Sequence, residues 1–318
     1  MKLIEFIKRF PNEEACKKHL KAFREKQGIV CSRCGCVHHY WKGYRNQWEC
    51  KQCGHRTTLT SGTIFHASKM SLHLWYITLH LLTSTKNTFS ACELQRQLGH
   101  KRYQPVWEMM HKIRSIMGQR DDRYTLSGEI ELDEGFFTVD SDGYDSNAPR
   151  KRGRGSEAKA KVLIMVESEA VEGSNKRIKR KVSHIKMKMI TDLKSDTIDQ
   201  EVMGSMEPES KLVTDNSTSY TNFKDMVEEH DGKVISPKEV GNELPWVHIM
   251  ISNAKRCFLN VFHNIKDTYL QNYLNEFCYC FNRRHIDIFD RLMVACASYQ
   301  NTFKHRNYSR MAALTLHN

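Results

Sequence analysis

The sequence lacks a long hydrophobic run. The 318-residue chain has no stretch of about 18 apolar residues, the length that a membrane-spanning helix requires. The N-terminal segment also lacks the apolar core and cleavage site of a secretory signal. Its residues Leu3, Ile4, Phe6 and Ile7 predict instead a short helix that ends before Pro11. Lipidation motifs are missing too, so the sequence predicts a cytoplasmic protein without a membrane partner.

The sequence also has fewer acidic than basic residues. The chain has 49 lysines and arginines against 37 aspartates and glutamates, a formal net charge of +12. This excess predicts a polyanionic partner, nucleic acid first and an anionic membrane surface second. A generally basic soluble protein is the alternative. The apolar content of 40% and the charged content of 27% are typical of folded protein, and the length fits about two domains.

The cysteines form a metal-binding pattern. Eleven cysteines without a secretory signal predict a reducing compartment, where cysteines are metal ligands or buried thiols rather than disulfides. Two CxxC motifs, with fifteen residues between them, can complete a tetrahedral shell around one Zn²⁺. Such a closed shell leaves no position for chemistry, so we expect a structural zinc. The four predicted ligands are Cys31, Cys34, Cys50 and Cys53.

The residues around the two motifs predict a zinc ribbon. The intervening aromatic stretch indicates a short hairpin, and Gly35 and Gly54 suit the positive φ of tight turns. Cys36 and His38 are possible substitute ligands or ordinary hairpin residues. The basic residues of the ribbon either hold phosphates or are simply solvated. They are Arg33, Lys42, Arg45, Lys51 and Arg56.

A helical segment follows from Ser68 to Gly118. Apolar residues recur there at three- and four-residue intervals, Ser90 begins a capping box, and Gly99 ends the second of three helices. Two helices around a short glycine-containing turn are typical of a helix-turn-helix, with a plain helical bundle as the alternative. The residues expected near a DNA major groove are Lys101, Arg102, Gln104, His111, Lys112 and Arg114.

Carboxylates line one face of the next predicted element. Residues 128–139 alternate like a half-buried strand, so Glu129, Glu131 and Asp133 share a face. Carboxylates on a central strand are costly unless they bind something, and a divalent metal ion is the natural partner. Asp215 ends a later short strand, 211–215. Taken singly, Asp133 could cap an exposed strand and Asp215 could belong to a turn or a helix cap.

The order of elements predicts an RNase H-like domain with a mixed sheet, which makes the whole chain α+β or α/β. In this order the middle of the first strand lies beside the end of the fourth, so Asp133 and Asp215 become neighbours. Two Mg²⁺ ions held there, about 3.5–4 Å apart, would activate the attacking oxygen and stabilise the leaving oxygen of a phosphoryl transfer. The predicted strands are 128–139, 161–167, 177–189, 211–215 and 233–235, and the predicted helices are 195–203, 220–229 and one from Trp246 onward.

Several motifs in order resemble a known family. The stretches CSRCG, CKQCGHRTTLTSGTIFH, GEIELDEGFF, VTDNSTSY, VHIMISNAKR and YLNEFCYCFNRR are similar to zinc-ribbon DDE-type insertion-sequence transposases of the fifteen-ninety-five family, whose catalytic domain is called ISXO-like. The resemblance runs from about Phe10 to Arg284. It implies recognition of terminal inverted repeats and metal-dependent DNA strand cleavage and transfer, in a bacterial cytoplasm at the nucleoid.

The resemblance also implies site residues. By position, Asp133 and Asp215 match the first two catalytic aspartates, and Asn253 takes a third position where many DDE transposases have Glu and some branches have Asn. Asn offers a neutral oxygen, so the second Mg²⁺ or Mn²⁺ should bind more weakly. Lys255 and Arg256 are expected near the site, where they would hold a phosphate.

Other residues could complete or surround this site. Compensating carboxylates could come from Glu131, Glu134 or Glu276, although a structural salt bridge is the alternative for Glu276. His248 either holds a phosphate or packs. A flexible basic loop between the first two strands is expected to seek phosphates. Its residues are Arg150, Lys151, Arg152 and Arg154.

These inferences predict three segments and one assembly. They are a helix with the zinc ribbon (1–66), a helix-turn-helix-like segment (67–120) and the catalytic domain (121–318). The expected partner is double-stranded DNA, both element ends and target. Pairing two ends requires a homodimer or a larger assembly. The alternatives are an RNase H-like nuclease or junction resolvase, and a domesticated zinc-dependent DNA-binding regulator.

Overall fold

The computed structural model describes residues 1–85, 88–140, 159–171, 180–215, 220, 222–223, 226–233, 244–262, 264–299 and 303. The chain divides into two compact units. The first unit is Met1–Met117 with His285–Phe303, and the second unit is Gly118–Arg284 with Lys304–Asn318. Among the described residues, no helix has the length and apolar character needed to cross a membrane. The division into three functional segments stays a prediction.

The first unit begins with two helices, α1 (Leu3–Arg9) and α2 (Glu13–Gln27). The first was predicted, whereas α2 was not, because only Cys16 and Leu20 of its fifteen residues are buried. The Asn12 side chain caps α2 by accepting the Ala15 N–H at 3.0 Å.

The zinc-ribbon segment is a three-stranded antiparallel sheet of β1 (His39–Lys42), β2 (Gln47–Cys50) and β3 (Arg56–Thr58). The predicted hairpin is therefore present, and β3 adds a strand to it. Trp41 pairs with Trp48 across β1 and β2, with ring centroids 4.8 Å apart. Lys21 and Arg24 of α2 lie over these two rings, so one face of the sheet is covered by α2.

Three helices then follow, namely α3 (Leu72–Ser84), α4 (Ala91–Leu98) and α5 (Tyr103–Asp121). The predicted end of α4 is confirmed, since Gly99 adopts φ 60°. Of the predicted capping box, the Ser90 side chain accepts the Glu93 N–H, while the Glu93 carboxylate accepts from Arg96 and Gln97. The prediction that the third helix ends at Gly118 was wrong, because α5 continues through it. A Cβ at Gly118 would lie 2.3 Å from the Asn275 amide nitrogen, so close packing explains this glycine.

The second unit is built on one five-stranded mixed sheet. Its strands are β4 (Glu129–Thr138), β5 (Lys159–Ala170), β6 (Arg180–Ile190), β7 (Lys211–Asp215) and β8 (Glu229–Lys233). Their order in the sheet is β6-β5-β4-β7-β8. Strands β4, β5 and β6 are antiparallel neighbours, and β7 and β8 run parallel to β4. This topology confirms the predicted RNase H-like fold class.

Helices complete the two units. In the second unit these are α6 (Ser195–Met203), α7 (Pro245–Val261) and α8 (Asp267–Asn282), and α9 (Ile288–Ser298) belongs to the first. One face of the sheet packs its apolar residues against α7 and α8. The other face packs against α6 and the aromatic rings of Tyr220 and Phe223.

The predicted helix 220–229 ends earlier than expected. Tyr220, Asn222 and Phe223 have 3-10 helical geometry, but residues 226–228 form a turn and a bend, and β8 begins at Glu229, four residues before the predicted strand 233–235. Residues 221, 224, 225, 234 and 235 lie outside the described part of the chain. Tyr220 and Phe223 are buried in the apolar core on the α6 side of the sheet, which explains the apolar spacing at the start of this segment.

Candidate metal centre and acidic site

Four cysteine sulfurs meet in the first unit. The Sγ atoms of Cys31, Cys34, Cys50 and Cys53 all lie within 4.8 Å of one another. Two of the separations, Cys31 to Cys53 and Cys34 to Cys50, are 3.6 Å. A tetrahedral Zn²⁺ with Zn–S bonds of about 2.3 Å requires sulfur separations of nearly this size. The cluster therefore fits one structural zinc ion.

Local backbone geometry brings these sulfurs together. After each CxxC motif a glycine turns the chain, with φ 72° at Gly35 and 67° at Gly54. Their N–H groups donate to the carbonyls of Cys31 and Cys50 at 2.9 and 3.0 Å. The Cys53 backbone N–H, joined by that of Gln52, lowers the pKa of the Cys50 thiol to about 6. A thiolate is the form that binds zinc.

None of the eleven cysteines is joined to another in a disulfide. Cys36 lies outside the four-sulfur cluster, where its Sγ accepts the His38 N–H at 3.4 Å. The alternative in which Cys36 or His38 replaces a zinc ligand is therefore wrong for this arrangement.

In the second unit the strand register brings two aspartates together. In the parallel pair of β4 and β7, Glu131 lies opposite Val213 and Leu132 opposite Thr214. Asp133 and Asp215 each follow the last of these pairs by one residue, on strands about 4.8 Å apart. The predicted neighbourhood of the two residues is present.

Both aspartates face the same side of the sheet. Side chains alternate along a strand, so Asp133 lies on the face of Phe137, and Asp215 lies on the face of Val213. Phe137 and Val213 both belong to the apolar core that contains Val247 and Ile251 of α7. The two carboxylates therefore point toward the side of the sheet that α7 covers.

The helix α7 brings polar groups to the first aspartate. His248 Nδ1 lies 3.6 Å from the Asp133 carboxylate. Burial lowers the pKa of Lys255, with a smaller contribution from Lys159, while the nearby charge of Asp133 acts in the opposite direction. The Lys255 Nζ atom also lies 5.6 Å from the Phe137 ring centroid. His248 and Lys255 thus both lie beside the acidic strand.

A glycine on this strand makes room for neighbouring side chains of the sheet. Gly135 lies on β4 two residues after Asp133, on the same face. A Cβ atom there would lie 2.7 Å from the Ile164 side chain of β5 and 3.2 Å from the Phe137 ring, which is too close. Ile251 on α7 would lie at an ordinary contact distance of 3.6 Å, so the glycine serves the packing of Ile164 and Phe137.

Asn253 lies on the same helix and is half-buried. Its Oδ1 atom accepts a hydrogen bond from Arg256 Nη2 at 2.9 Å, and Arg256 is exposed. The carbonyl oxygen that would ligate a metal is thus held by a guanidinium one helical turn away. The role of Asn253 as third ligand stays a prediction.

The other carboxylates suggested for this site have different contacts. Glu131 is buried and its Oε2 accepts the Val247 N–H at 2.9 Å. Glu134 lies on the opposite face, where its Oε1 accepts a hydrogen bond from the Tyr220 hydroxyl at 2.6 Å. Glu276 is buried on α8. Sequence reasoning missed the contacts with Val247 and Tyr220, because no local pattern links residues about ninety to a hundred and twenty positions apart.

The predicted DNA-contacting residues fall into three groups. Lys101, Arg102 and Arg256 are exposed, and Lys112 is half-buried. Arg114 is only 1% exposed and His111 is fully buried, so predicting them in a DNA groove was wrong. His111 and Arg114 are buried together with the apolar residues of α5. The sequence pattern alone did not show that these two polar residues lie on the buried side of the helix. Arg150, Lys151, Arg152 and Arg154 lie outside the described residues.

Comparison with known proteins yields two family matches. Residues 125–282 match the ISXO2-like transposase domain, and residues 11–56 match the transposase zinc-ribbon domain. The two matches together cover more than half of the chain and include all four cysteines, both aspartates and Asn253.

Individual proteins are more distant. An uncharacterized protein in transposable element ISH50 of Halobacterium salinarum is 23% identical over 170 residues, 50% of this chain and 56% of that protein. The chain thus spans little more than half the length of this relative. Among solved structures, a pre-cleavage Mos1 transpososome is 12% identical (TM-score 0.26; 72% of this chain, 80% of that chain), and the Mos1 strand transfer complex is 13% identical (TM-score 0.28; 72% and 79%).

Proposed function

Since the chain belongs to the zinc-ribbon DDE-type insertion-sequence transposases of the fifteen-ninety-five family, we propose that it binds the terminal inverted repeats of its element and catalyses DNA strand cleavage and transfer. The observation that carries this proposal is the pair Asp133 and Asp215, side by side on the sheet face under α7. Paired carboxylates on one face are the donor set that divalent cations prefer.

The residues of the acidic site have distinct proposed roles. Asp133 and Asp215 hold the metal, Asn253 contributes a neutral oxygen, and Lys255 and Arg256 hold a DNA phosphate. Bound Mg²⁺ or Mn²⁺, two ions in our proposal, would activate the attacking oxygen and stabilise the leaving one. Since Arg256 now donates to Asn253, we expect it to release that oxygen when it turns toward a phosphate. No serine or tyrosine forms a covalent bond with DNA in this scheme.

The open face of the ribbon supports a DNA-binding role for the first unit. Tyr40 and Tyr44 are 56% and 79% exposed, and each carries a cation over its ring. Lys51 Nζ lies 4.7 Å from the Tyr40 centroid, and the Arg45 guanidinium 5.2 Å from that of Tyr44. We propose that these two cation–aromatic pairs contact the DNA backbone, together with Lys101, Arg102 and Lys112.

The DNA contact of the ribbon can be measured directly. Replacing Lys51 with Ala should weaken binding to a duplex of the element end by a few fold and reduce the slope of log K against log salt by about one. Lys8→Ala, an exposed lysine of α1, is the matched control. An unchanged salt slope for Lys51→Ala would remove this residue from the DNA contact.

The proposed partners are the double-stranded DNA of the element ends and of the target. Joining two ends to a target requires at least two acidic sites, so we propose a homodimer or a larger assembly on DNA. In a bacterial cell this places the protein at the nucleoid.

A cleavage and strand-transfer assay tests the proposal. Wild type, Asp133→Ala and Asp215→Ala are compared on DNA that carries the element ends, with Mg²⁺ or Mn²⁺. We expect metal-dependent cleavage and joining by wild type, and loss of both in the variants with DNA binding kept. Asp140→Ala, at an exposed aspartate just beyond β4, is the control and should remain active.

The outcomes separate three functions. Cleavage of structured DNA without joining or end preference would indicate a nuclease or junction resolvase. Tight binding to the ends without cleavage in any metal would indicate a DNA-binding regulator, an outcome that the neutral Asn253 favours. Wild-type rates for Asp133→Ala would overturn the site assignment.

A further inference from the structure

We propose that Glu131 is a positioning residue that fixes helix α7 against the strand of the first aspartate. The proposal rests on the proposed function, because it concerns the same acidic site. It assigns Glu131 the role of a buried helix cap rather than that of a compensating metal ligand.

The start of α7 needs an external hydrogen-bond acceptor. The first N–H groups of a helix have no partner within the helix, and a side chain before it usually supplies one. The residue before α7 is Leu244, which has no such side chain, and Pro245 at the first position has no N–H. The Val247 N–H therefore lies at the point where a cap is required.

Glu131 supplies this acceptor from another element. Its Oε2 atom accepts the Val247 N–H at 2.9 Å, and its side chain is 6% exposed. A carboxylate is favourable at a helix N-terminus because the helix dipole is positive there. Burying a carboxylate without such donors costs free energy, so the contact explains why an acid occupies this strand position.

One hydrogen bond and one close approach relate α7 to β4. Glu131 accepts the Val247 N–H, and His248 Nδ1 lies 3.6 Å from the Asp133 carboxylate. The strand residues are two positions apart on one face, and the helix residues are consecutive. Sliding α7 along the strand, or rotating it about its own axis, would break the Glu131 hydrogen bond and change the approach of His248 to Asp133.

The position of the start of α7 also affects residues further along this helix. Asn253 and Lys255 lie one to two turns further along α7, so their distance from Asp133 and Asp215 depends on how the helix begins. Glu131 touches neither DNA nor reacting atoms in this scheme. It sets where the helix residues lie.

The conservative variant distinguishes a cap from a ligand. Glu131→Gln keeps an oxygen that accepts the Val247 N–H but loses the charge that a metal ligand contributes. Glu131→Ala loses both. Glu129→Ala, on the same strand face and paired with Arg180 at 3.3 Å, is the matched control.

Amide hydrogen exchange in peptides covering 244–252 measures the cap without any metal or DNA. We expect Glu131→Ala to accelerate exchange there by about tenfold, since a charge-assisted hydrogen bond is lost. Glu131→Gln keeps the acceptor without the charge, so it should accelerate exchange by a clearly smaller factor, and Glu129→Ala should stay near wild type. In the cleavage assay, Glu131→Ala should lower kcat by about tenfold with KM for DNA unchanged, and Glu131→Gln should restore most of kcat.

Each outcome bears on the proposal. A wild-type exchange rate in Glu131→Ala would overturn it. A Glu131→Gln enzyme that keeps its protection from exchange but is as inactive as Asp133→Ala would also overturn it, because this result is expected for a metal ligand. Should Glu131→Ala fail to fold, the glutamine variant still decides between the two roles. If wild type itself cleaves no DNA, the proposed function fails while the exchange result still tests the cap.

Discussion

The cysteine cluster of the first unit and the acidic site of the second unit are built in opposite ways. The four sulfurs come from two short motifs within 23 residues of sequence, and each motif is turned by its own glycine. The two aspartates come from strands that are separated by more than seventy residues, and they meet only through the sheet register.

The difference reflects what each site is for. Four thiolates close the shell around a structural zinc, so the ion and the ribbon fold stabilise each other. In the proposed function the two aspartates would leave much of a metal's coordination free for water and DNA, and we expect the two carboxylates to repel one another while no cation is bound. Removing a ligand should therefore have opposite effects on stability at the two sites.

The largest effect is expected at the cysteine cluster. Cys50→Ser should abolish zinc binding and unfold the ribbon, because metal binding to such sites supplies about 10–16 kcal/mol of apparent folding free energy. Zinc content by metal analysis, and proteolysis of residues 28–60, would measure this. Cys36→Ser, outside the cluster, should keep both. A Cys50→Ser protein with full zinc and a protected ribbon would contradict the assignment.

A smaller effect is expected at a carboxylate of the second unit that serves structure. Burial alone would raise the pKa of Glu167, but His184, the Ser183 hydroxyl, the Ser127 N–H and Tyr124 contact its carboxylate and together hold its pKa below the usual value. Stability from such a group is complete above the unfolded pKa of about 4.3 and is lost as pH falls through the lower folded value.

Urea unfolding across pH tests this. Glu167→Gln should cost about 1.5–3 kcal/mol at neutral pH and flatten the loss of stability in acid, because the group that must be protonated is gone. Glu169→Gln, an exposed neighbour on β5, is the control. An unchanged acid dependence in Glu167→Gln would show that another group controls it.

The third prediction adds charge to the acidic site. Asn253→Asp should lower the Mg²⁺ concentration for half-maximal cleavage by about tenfold, because a carboxylate attracts a cation more strongly than an amide oxygen does. Binding of Mn²⁺, followed by calorimetry, should tighten in parallel. Asn260→Asp, on an exposed part of the same helix, should leave both unchanged. Weaker Mn²⁺ binding in Asn253→Asp would argue against ligation at this position.

The smallest effect is expected at Asp215, and it tests most directly whether the acidic site differs from the cysteine cluster. In the presence of a chelator, Asp215→Asn should stabilise the second unit by about 1 kcal/mol, because it relieves repulsion with Asp133. Mg²⁺ should raise the thermal midpoint of wild type and not that of the variant. A destabilised Asp215→Asn protein would mean that this carboxylate, like Cys50, serves the fold.

The comparison also explains where sequence reasoning succeeded. The cysteine spacing, the capping by Ser90 and the end of α4 at Gly99 are local patterns, and each is present in the structure. The strand predicted for 128–139 is present as β4, but Ile130, Glu131 and Leu132 are buried in succession because both faces of this central strand are covered. Element order predicted the mixed sheet, because the connections between such strands allow few arrangements.

The predictions failed where the role of a residue depends on whether its side chain is buried. His111 and Arg114 were expected at DNA because they are polar and basic, yet both are buried. Helix α2 was missed because few of its residues are buried, and the helix predicted to reach Glu229 gives way to a turn and to β8 before that residue.

The sequence by itself thus determined the zinc ligands, the order of the strands in the second unit and the residue types of the acidic site. These depend on spacing along the chain and on the chemistry of single side chains. Tertiary structure alone decided that Asp133 and Asp215 share one face, that His248 approaches Asp133 and that Glu131 caps α7. Those relations depend on strand register and helix docking, which the apolar core fixes only when distant segments pack together.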